Sequence, residues 1–145
     1  MQRSDGLTLR VITPDAIVLD TPASSVRIPG VDGQIGILPR HAHMVAALDM
    51  GVLRYRNGGT EHFLFVSEGF AEVRDNTLRL VCEAGDPAEE IDVQRAKAAE
   101  QRARERLAQA SQGVEVDELR AEAALRRALM RLQAAQYGGH HGQGH

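Results

Sequence analysis

Aromatic residues are scarce in this 145-residue chain, which has three Phe, two Tyr and no Trp. Four of the five, Tyr55, Phe63, Phe65 and Phe70, fall in one short stretch. The single cysteine, Cys82, excludes an internal disulfide. No apolar run approaches the roughly 18 to 20 residues that cross a bilayer, since the longest are short ones such as Met44 to Leu48 and Phe63 to Val66. No transmembrane span is expected, and any membrane role is peripheral. The start, Met1-Gln2-Arg3-Ser4-Asp5-Gly6, lacks the apolar region of a secretory signal, so the cytosol is the expected compartment. A formal net charge of −3 argues against a nucleic-acid binder, which must offset phosphate charge.

What is present divides the chain in two. From Leu7 to Ala84, apolar residues recur at alternate positions: Leu7, Leu9, Val11; Val26, Ile28; Val52 and Tyr55; Phe63, Phe65 with Val66; Leu78, Leu80, Cys82. Period two predicts strands with one buried face. Between them stand Pro14-Asp15, Pro29-Gly30, Asp32-Gly33, Asn57-Gly58-Gly59 and Asp75-Asn76, residues suited to chain reversals. Turn signals at this spacing, without a helix long enough for a crossover, predict an antiparallel sandwich or barrel over residues 1–86.

Residues 87–137 read as a helical hairpin. Val93, Ala96, Ala99, Ala103, Leu107 and Ala110 recur in steps of three and four, with Asp92 placed to cap the first turn. Ser111-Gln112-Gly113 breaks the pattern, Asp117 offers a second cap, and Ala121, Leu125, Ala128, Leu132 and Ala135 form a second stripe. Both stripes are largely alanine, so little apolar area is lost on separation and the hairpin is expected to undock readily. Residues 138–145 have no periodicity and read as a disordered Gly/His tail.

The hairpin also carries the chain's most suggestive charges. Arg95, Arg102 and Arg106 share one sector of the first helix, and Arg120, Arg127 and Arg131 repeat that spacing on the second. Arg127 and Arg131 have no acidic neighbour at helical spacing, so any partner comes from elsewhere. Three readings stand: solvated arginines, a polyanion such as a triphosphate held by charge-assisted bonds, or an acidic surface on a partner. Gly30-Val31-Asp32-Gly33-Gln34-Ile35-Gly36 lacks the ending of a phosphate loop and reads as a turn between strands. His41 and His43 have no second ligand at metal spacing, and Cys82 sits on an alternating strand as a small hydrophobe. No nucleophile stands with a base, no metal function is expected, and the pattern is that of a binding and switching module.

Gly33-Gln34-Ile35-Gly36-Ile37-Leu38-Pro39-Arg40-His41-Ala42-His43, then Leu48-Asp49-Met50-Gly51-Val52-Leu53, then Val66-Ser67-Glu68-Gly69-Phe70-Ala71-Glu72-Val73, resemble the epsilon subunit of F-type ATP synthases. Ile91-Asp92-Val93-Gln94-Arg95-Ala96 is similar to the ATP-contacting motif at the start of the hairpin in bacterial members of that family. Arg40 stands where that family commonly has Gly. The resemblance implies a ten-stranded β-sandwich and two antiparallel helices, a non-catalytic part of the central stalk that couples rotation of the c-ring to ATP synthesis through gamma. The sandwich is expected to bind gamma and rest on the c-ring, with Asp32, Gln34 and His41 near the ring. The hairpin is expected to inhibit ATP hydrolysis when extended toward the alpha and beta subunits. ATP as a regulatory ligand would be held by Asp92, Arg95, Arg102, Arg127 and Arg131, and the acidic loop of beta is the other candidate partner of these arginines. The implied place is the cytoplasmic face of the bacterial plasma membrane. The alternative is a free-standing adaptor or nucleotide-sensing module with a coiled-coil arm.

Overall fold

A computed structural model of the chain describes residues 6–143. Ten strands come first: β1 (Leu7–Ile12), β2 (Ile17–Ala23), β3 (Ser25–Gly30), β4 (Gly33–Ile37), β5 (Met44–Leu48), β6 (Gly51–Asn57), β7 (Thr60–Val66), β8 (Gly69–Arg74), β9 (Thr77–Cys82) and β10 (Gly85–Pro87). A 3-10 turn at Ala88–Glu90 leads to two helices, α1 (Val93–Ser111) and α2 (Glu118–Gln143). The strands follow the order β10-β7-β6-β3-β5-β8-β9-β1-β2, with β4 added at β3. All pairings are antiparallel except β1 with β9, where Thr8 to Ile12 run parallel to Thr77 to Val81. An N-terminal strand and a late strand meet there without a local connection, so no hairpin signal in the sequence announces the pair.

The core follows the period-two pattern. Leu7, Leu9 and Val11 of β1 pack with Val26 and Ile28 of β3, Leu53 of β6 and Leu78 and Leu80 of β9, all buried. Pro29 and Gly30, expected in a turn, instead continue β3 opposite Gln34 and Gly33, and the reversal falls at Val31 and Asp32. The Asp75-Asn76 turn is as expected, both residues having positive φ. Asn76 also ties distant segments together, its Oδ1 accepting from the Arg40 backbone N–H at 2.8 Å and its Nδ2 donating to the Gly6 carbonyl at 2.9 Å.

That bond holds Arg40 at φ 64, a left-handed conformation that a Cβ disfavours. Arg40→Gly is therefore expected to stabilise the sandwich by about 1 kcal/mol, seen as a melting temperature a few degrees higher. An unchanged or lower temperature would mean that the arginine side chain offsets the strain.

The hairpin forms for the local reasons that its sequence suggests. Asp92 Oδ1 accepts from the Arg95 backbone N–H at 3.0 Å, and Asp117 Oδ1 from that of Arg120 at 3.1 Å, so each helix has its side-chain N-cap. Gly113, at φ 88, supplies the left-handed residue just beyond the end of α1. Ala96 and Ala103 of α1 and Ala121 and Ala128 of α2 are buried, and such small side chains let the two backbones approach closely. The second helix corrects the expected tail. It runs through Gly138 to Gln143, while Gly144 and His145 lie outside the described residues. The physical reason is tertiary: a Cβ on Gly138 would lie 2.4 Å from that of Ala88, so glycine lets the helix pass tightly over the 3-10 turn. Packing there outweighs low helix propensity.

Candidate functional site

Strand β7 shows where the hairpin docks. Its residues Phe63, Leu64, Phe65 and Val66 are all buried, whereas a strand with one wet face would alternate. Leu64 and Val66 belong to the sandwich core, and Phe63 and Phe65 do not. They occupy the opposite face, beneath α2. Tyr137 lies with its ring centroid 5.4 Å from that of Phe63, and the Arg131 guanidinium sits 4.5 Å above the Phe65 ring. The period-two reading of Phe63 and Phe65 as part of the inward face is thereby corrected.

Two ion pairs join the helix to the sheet. Arg131 Nε is 2.8 Å from Asp86 Oδ2 on β10, and Arg126 Nη2 is 2.6 Å from Asp49 Oδ2 in the turn between β5 and β6. Arg131 thus has its partner inside the same chain. Pairs this exposed contribute about 0 to 1 kcal/mol each, whereas burying a Phe side chain contributes about 1.5 to 3 kcal/mol. The phenylalanines drive docking and the ion pairs orient it. This corrects the expectation of a readily separated hairpin: the helices meet through alanine, but α2 covers two aromatic rings.

The Arg126 guanidinium, chiefly through its hydrogen bond, holds the Asp49 carboxyl below its usual 3.8. A depressed carboxyl stabilises the docked form above the unfolded value and loses that contribution as pH falls through the folded one. Docking is therefore expected to be flat with pH above about 5 and to weaken below 3.8. Helix amide shifts followed by NMR would show this, and Asp49→Asn should remove that part of the acid response. Cys82 has no such role, because burial pushes its thiol up to about 11.

A cavity of about 380 Å³ opens where the two helices meet the end of the sheet. Asp86 of β10, Glu90 of the 3-10 turn, Asp92 before α1, Arg95 and Arg102 of α1 and Arg131 of α2 line it. Four of the five expected ATP-contacting residues, Asp92, Arg95, Arg102 and Arg131, are thus gathered around one space. Arg127 is half-buried on α2 and does not line the cavity. Its neighbour Arg126 is the residue that reaches the sheet, a contact between positions 77 apart that helical spacing alone does not reveal. Arg95 and Arg102 form no ion pair among the described residues. They supply positive charge that a polyanion can use, beside three carboxylates that temper it.

The positions expected near a ring of c subunits lie on the β3–β4 hairpin and in the loop that follows β4. Asp32 is exposed in the β3–β4 turn, Gln34 is exposed on β4, and His41 is half-buried in the loop before β5. His41 Nδ1 lies 2.8 Å from the Ala42 carbonyl, and no hydrogen bond among the described residues joins the three. On the strands away from the hairpin, Ala47, Phe70, Val81, Ile12 and Ile17 stand in register across β5, β8, β9, β1 and β2. Phe70 and Ile17 are 49% and 61% exposed, so this row is an apolar ridge on the surface. The alternation of Leu78, Leu80 and Cys82 on β9 implies the outward place of Val81, but only the strand pairing shows that Phe70 and Ile12 stand beside it.

Known proteins place this architecture. Residues 6–88 match the ATP synthase delta/epsilon chain beta-sandwich domain, and residues 89–136 match the long alpha-helix domain of the same chain. The ATP synthase epsilon chain of Lawsonia intracellularis is 44% identical over 107 residues, covering 74% of this chain and 80% of that one. That of Nitratidesulfovibrio vulgaris is 45% identical over 110 residues, covering 76% and 82%. Among solved structures, a chain of the Euglena gracilis mitochondrial ATP synthase OSCP/F1/c-ring superposes with a TM-score of 0.74 at 27% identity, covering 92% of this chain and 82% of that one. A chain of the Tetrahymena thermophila mitochondrial ATP synthase central stalk and c-ring, at 15% identity and a TM-score of 0.52 over 90% and 93%, shares the fold. With both its domains matched in order, the chain belongs to the ATP synthase delta/epsilon family.

Proposed function

We propose that this chain works as the epsilon subunit in the central stalk of a bacterial F-type ATP synthase, performing no chemistry itself. It transmits c-ring rotation through gamma at the cytoplasmic face of the plasma membrane. No helix among the described residues is long and apolar enough to cross a membrane, so attachment runs through the other subunits. The apolar ridge from Ala47 to Ile17 suits a stable contact with gamma, because burying Phe70 and Ile17 removes exposed apolar surface. Asp32, Gln34 and His41 remain the residues proposed to lie near the c-ring.

The hairpin is the regulatory part. The observation that carries this reading is the make-up of the cavity, whose walls come from β10, the 3-10 turn, α1 and α2 together. Those walls meet only when the hairpin is docked. A ligand held there therefore binds the docked form alone and stabilises it by about 2.7 kcal/mol at a hundredfold excess over its Kd. ATP fits the donor set, its phosphates on Arg95, Arg102 and Arg131, and the volume lies in the roughly 300 to 1,000 Å³ range of small-molecule sites. Arg127 joins only through a rotation of α2. Without ATP, the docked form loses that contribution and competes less well with the acidic loop of beta, which engages the arginines of the undocked hairpin and inhibits hydrolysis.

Two experiments test this. Millimolar ATP added to the full chain should shift the amides at the start of α1 and around Arg131, and Arg95→Ala with Arg102→Ala should abolish the shifts. No shift in the unaltered chain removes the nucleotide. Ending the chain after Glu90, which keeps β10 and the 3-10 turn, should raise ATP hydrolysis by the reconstituted complex, and unchanged hydrolysis contradicts an inhibitory hairpin.

A further inference from the structure

We infer that the outer face of β3, β4 and β6 is a recognition surface for an extended acidic segment of a partner protein, read by Arg27, Arg54 and Arg56. Arg27 stands directly opposite Arg54, and Ser25 opposite Arg56. Arg27 and Arg54 are like charges facing each other across a strand pair, which weakens a sheet, whereas Arg56 on its other side faces Glu61 of β7. None of the three arginines forms an ion pair among the described residues, although the Arg54 guanidinium rests 5.8 Å from the centre of the Phe63 ring. On the other side of β3, Arg27 faces Gly36, above which no atom lies within 4 Å of a built Cβ. The result is a groove of about 360 Å³, bounded by Leu38, which is 62% exposed, and by Glu61.

The spacing selects the partner. Residues two apart on a strand lie about 7 Å apart on one face, so Arg54 and Arg56 match carboxylates at alternate positions of an extended peptide. Arg27 is placed to share a carboxylate with Arg54, and exposed Leu38 offers contact to an apolar residue at the peptide's end. Three arginines fall short of the roughly four to eight basic residues that recruit a protein to anionic lipid.

The test uses the full chain and a fluorescein-labelled peptide, Glu-Ser-Glu-Ser-Glu-Leu, with a Gln-for-Glu peptide as control, followed by anisotropy at low salt. The Glu peptide should bind and the Gln peptide should not. Arg27→Gln combined with Arg56→Gln should weaken binding about tenfold or more, because it removes charged hydrogen bonds, while the melting temperature holds or rises. The reversed variant, Arg27→Glu with Arg56→Glu, should bind Lys-Ser-Lys-Ser-Lys-Leu instead. Equal binding of the Glu peptide by the double Gln variant, or no binding by the unaltered chain, overturns the proposal. Capture on phosphatidylserine vesicles without peptide binding overturns it in favour of a membrane, and a lower melting temperature in the Gln variant assigns the arginines to the fold.

Discussion

Phe65→Ala is expected to destabilise the docked hairpin by about 3 to 5 kcal/mol, the range for deleting a buried phenyl ring. Phe65 is fully buried yet lies outside the sandwich core, opposite Val52 on the sheet face that α2 covers. Its removal leaves the Arg131 guanidinium, now 4.5 Å above the ring, without that support. Leu53, Leu64 and Val66 keep their places on the other face. The loss should therefore appear as an early melting of helix, read by circular dichroism, ahead of sheet melting read by NMR. A single transition at the original midpoint would show that the ring does not hold the hairpin. The same variant should raise inhibition of hydrolysis in the reconstituted complex, since the docked form competes less well.

Gly69→Ala should act on the other unit. A Cβ at Gly69 would meet the Val81 carbonyl oxygen at 2.0 Å and the Cys82 Cα at 2.9 Å, both backbone atoms of the neighbouring strand. Backbone in a ten-stranded sheet cannot rotate aside as a side chain does, so the cost should reach or exceed the upper end of the usual 1 to 3 kcal/mol for overpacking, about 3 kcal/mol or more. Thermal unfolding of the sheet measures it. Gly36→Ala is the control, because nothing lies within 4 Å of its Cβ position, and its midpoint should hardly move. Equal effects in the two variants would mean that β8 and β9 separate easily.

The difference between these two sites also explains what could be read from sequence. Features set by neighbours along the chain were legible: the caps at Asp92 and Asp117, the break at Gly113, and the inward residues of β1 and β9 all rest on contacts a few residues apart or on strict alternation. Strands β2, β4 and β5 were harder. Ile17, Gly33, Gly36 and Val45 are exposed there, so the alternation that marks a half-buried strand is weak.

The docking face lay between these cases. The unbroken run Phe63 to Val66 signals a strand buried on both faces, but not what covers the second face. Arg131 with Asp86 and Arg126 with Asp49 join positions 45 and 77 apart, and only the fold brings them together. One residue of rotation separates Arg126 from Arg127 on α2, about 100° of helix, enough to send one to the sheet and leave the other outside the cavity. The expected group Asp92, Arg95, Arg102 and Arg131 converges because α1 begins where β10 and the 3-10 turn end.

Native-state amide hydrogen exchange on the full chain, with and without ATP, tests most directly whether the hairpin is a separate cooperative unit resting on Phe63 and Phe65. Helices α1 and α2 should exchange through an opening of lower free energy than the core strands β1, β6 and β9, and ATP should slow the helices while leaving those strands unchanged. Exchange of helices and strands through one global opening, unaffected by ATP, would contradict a separate hairpin unit.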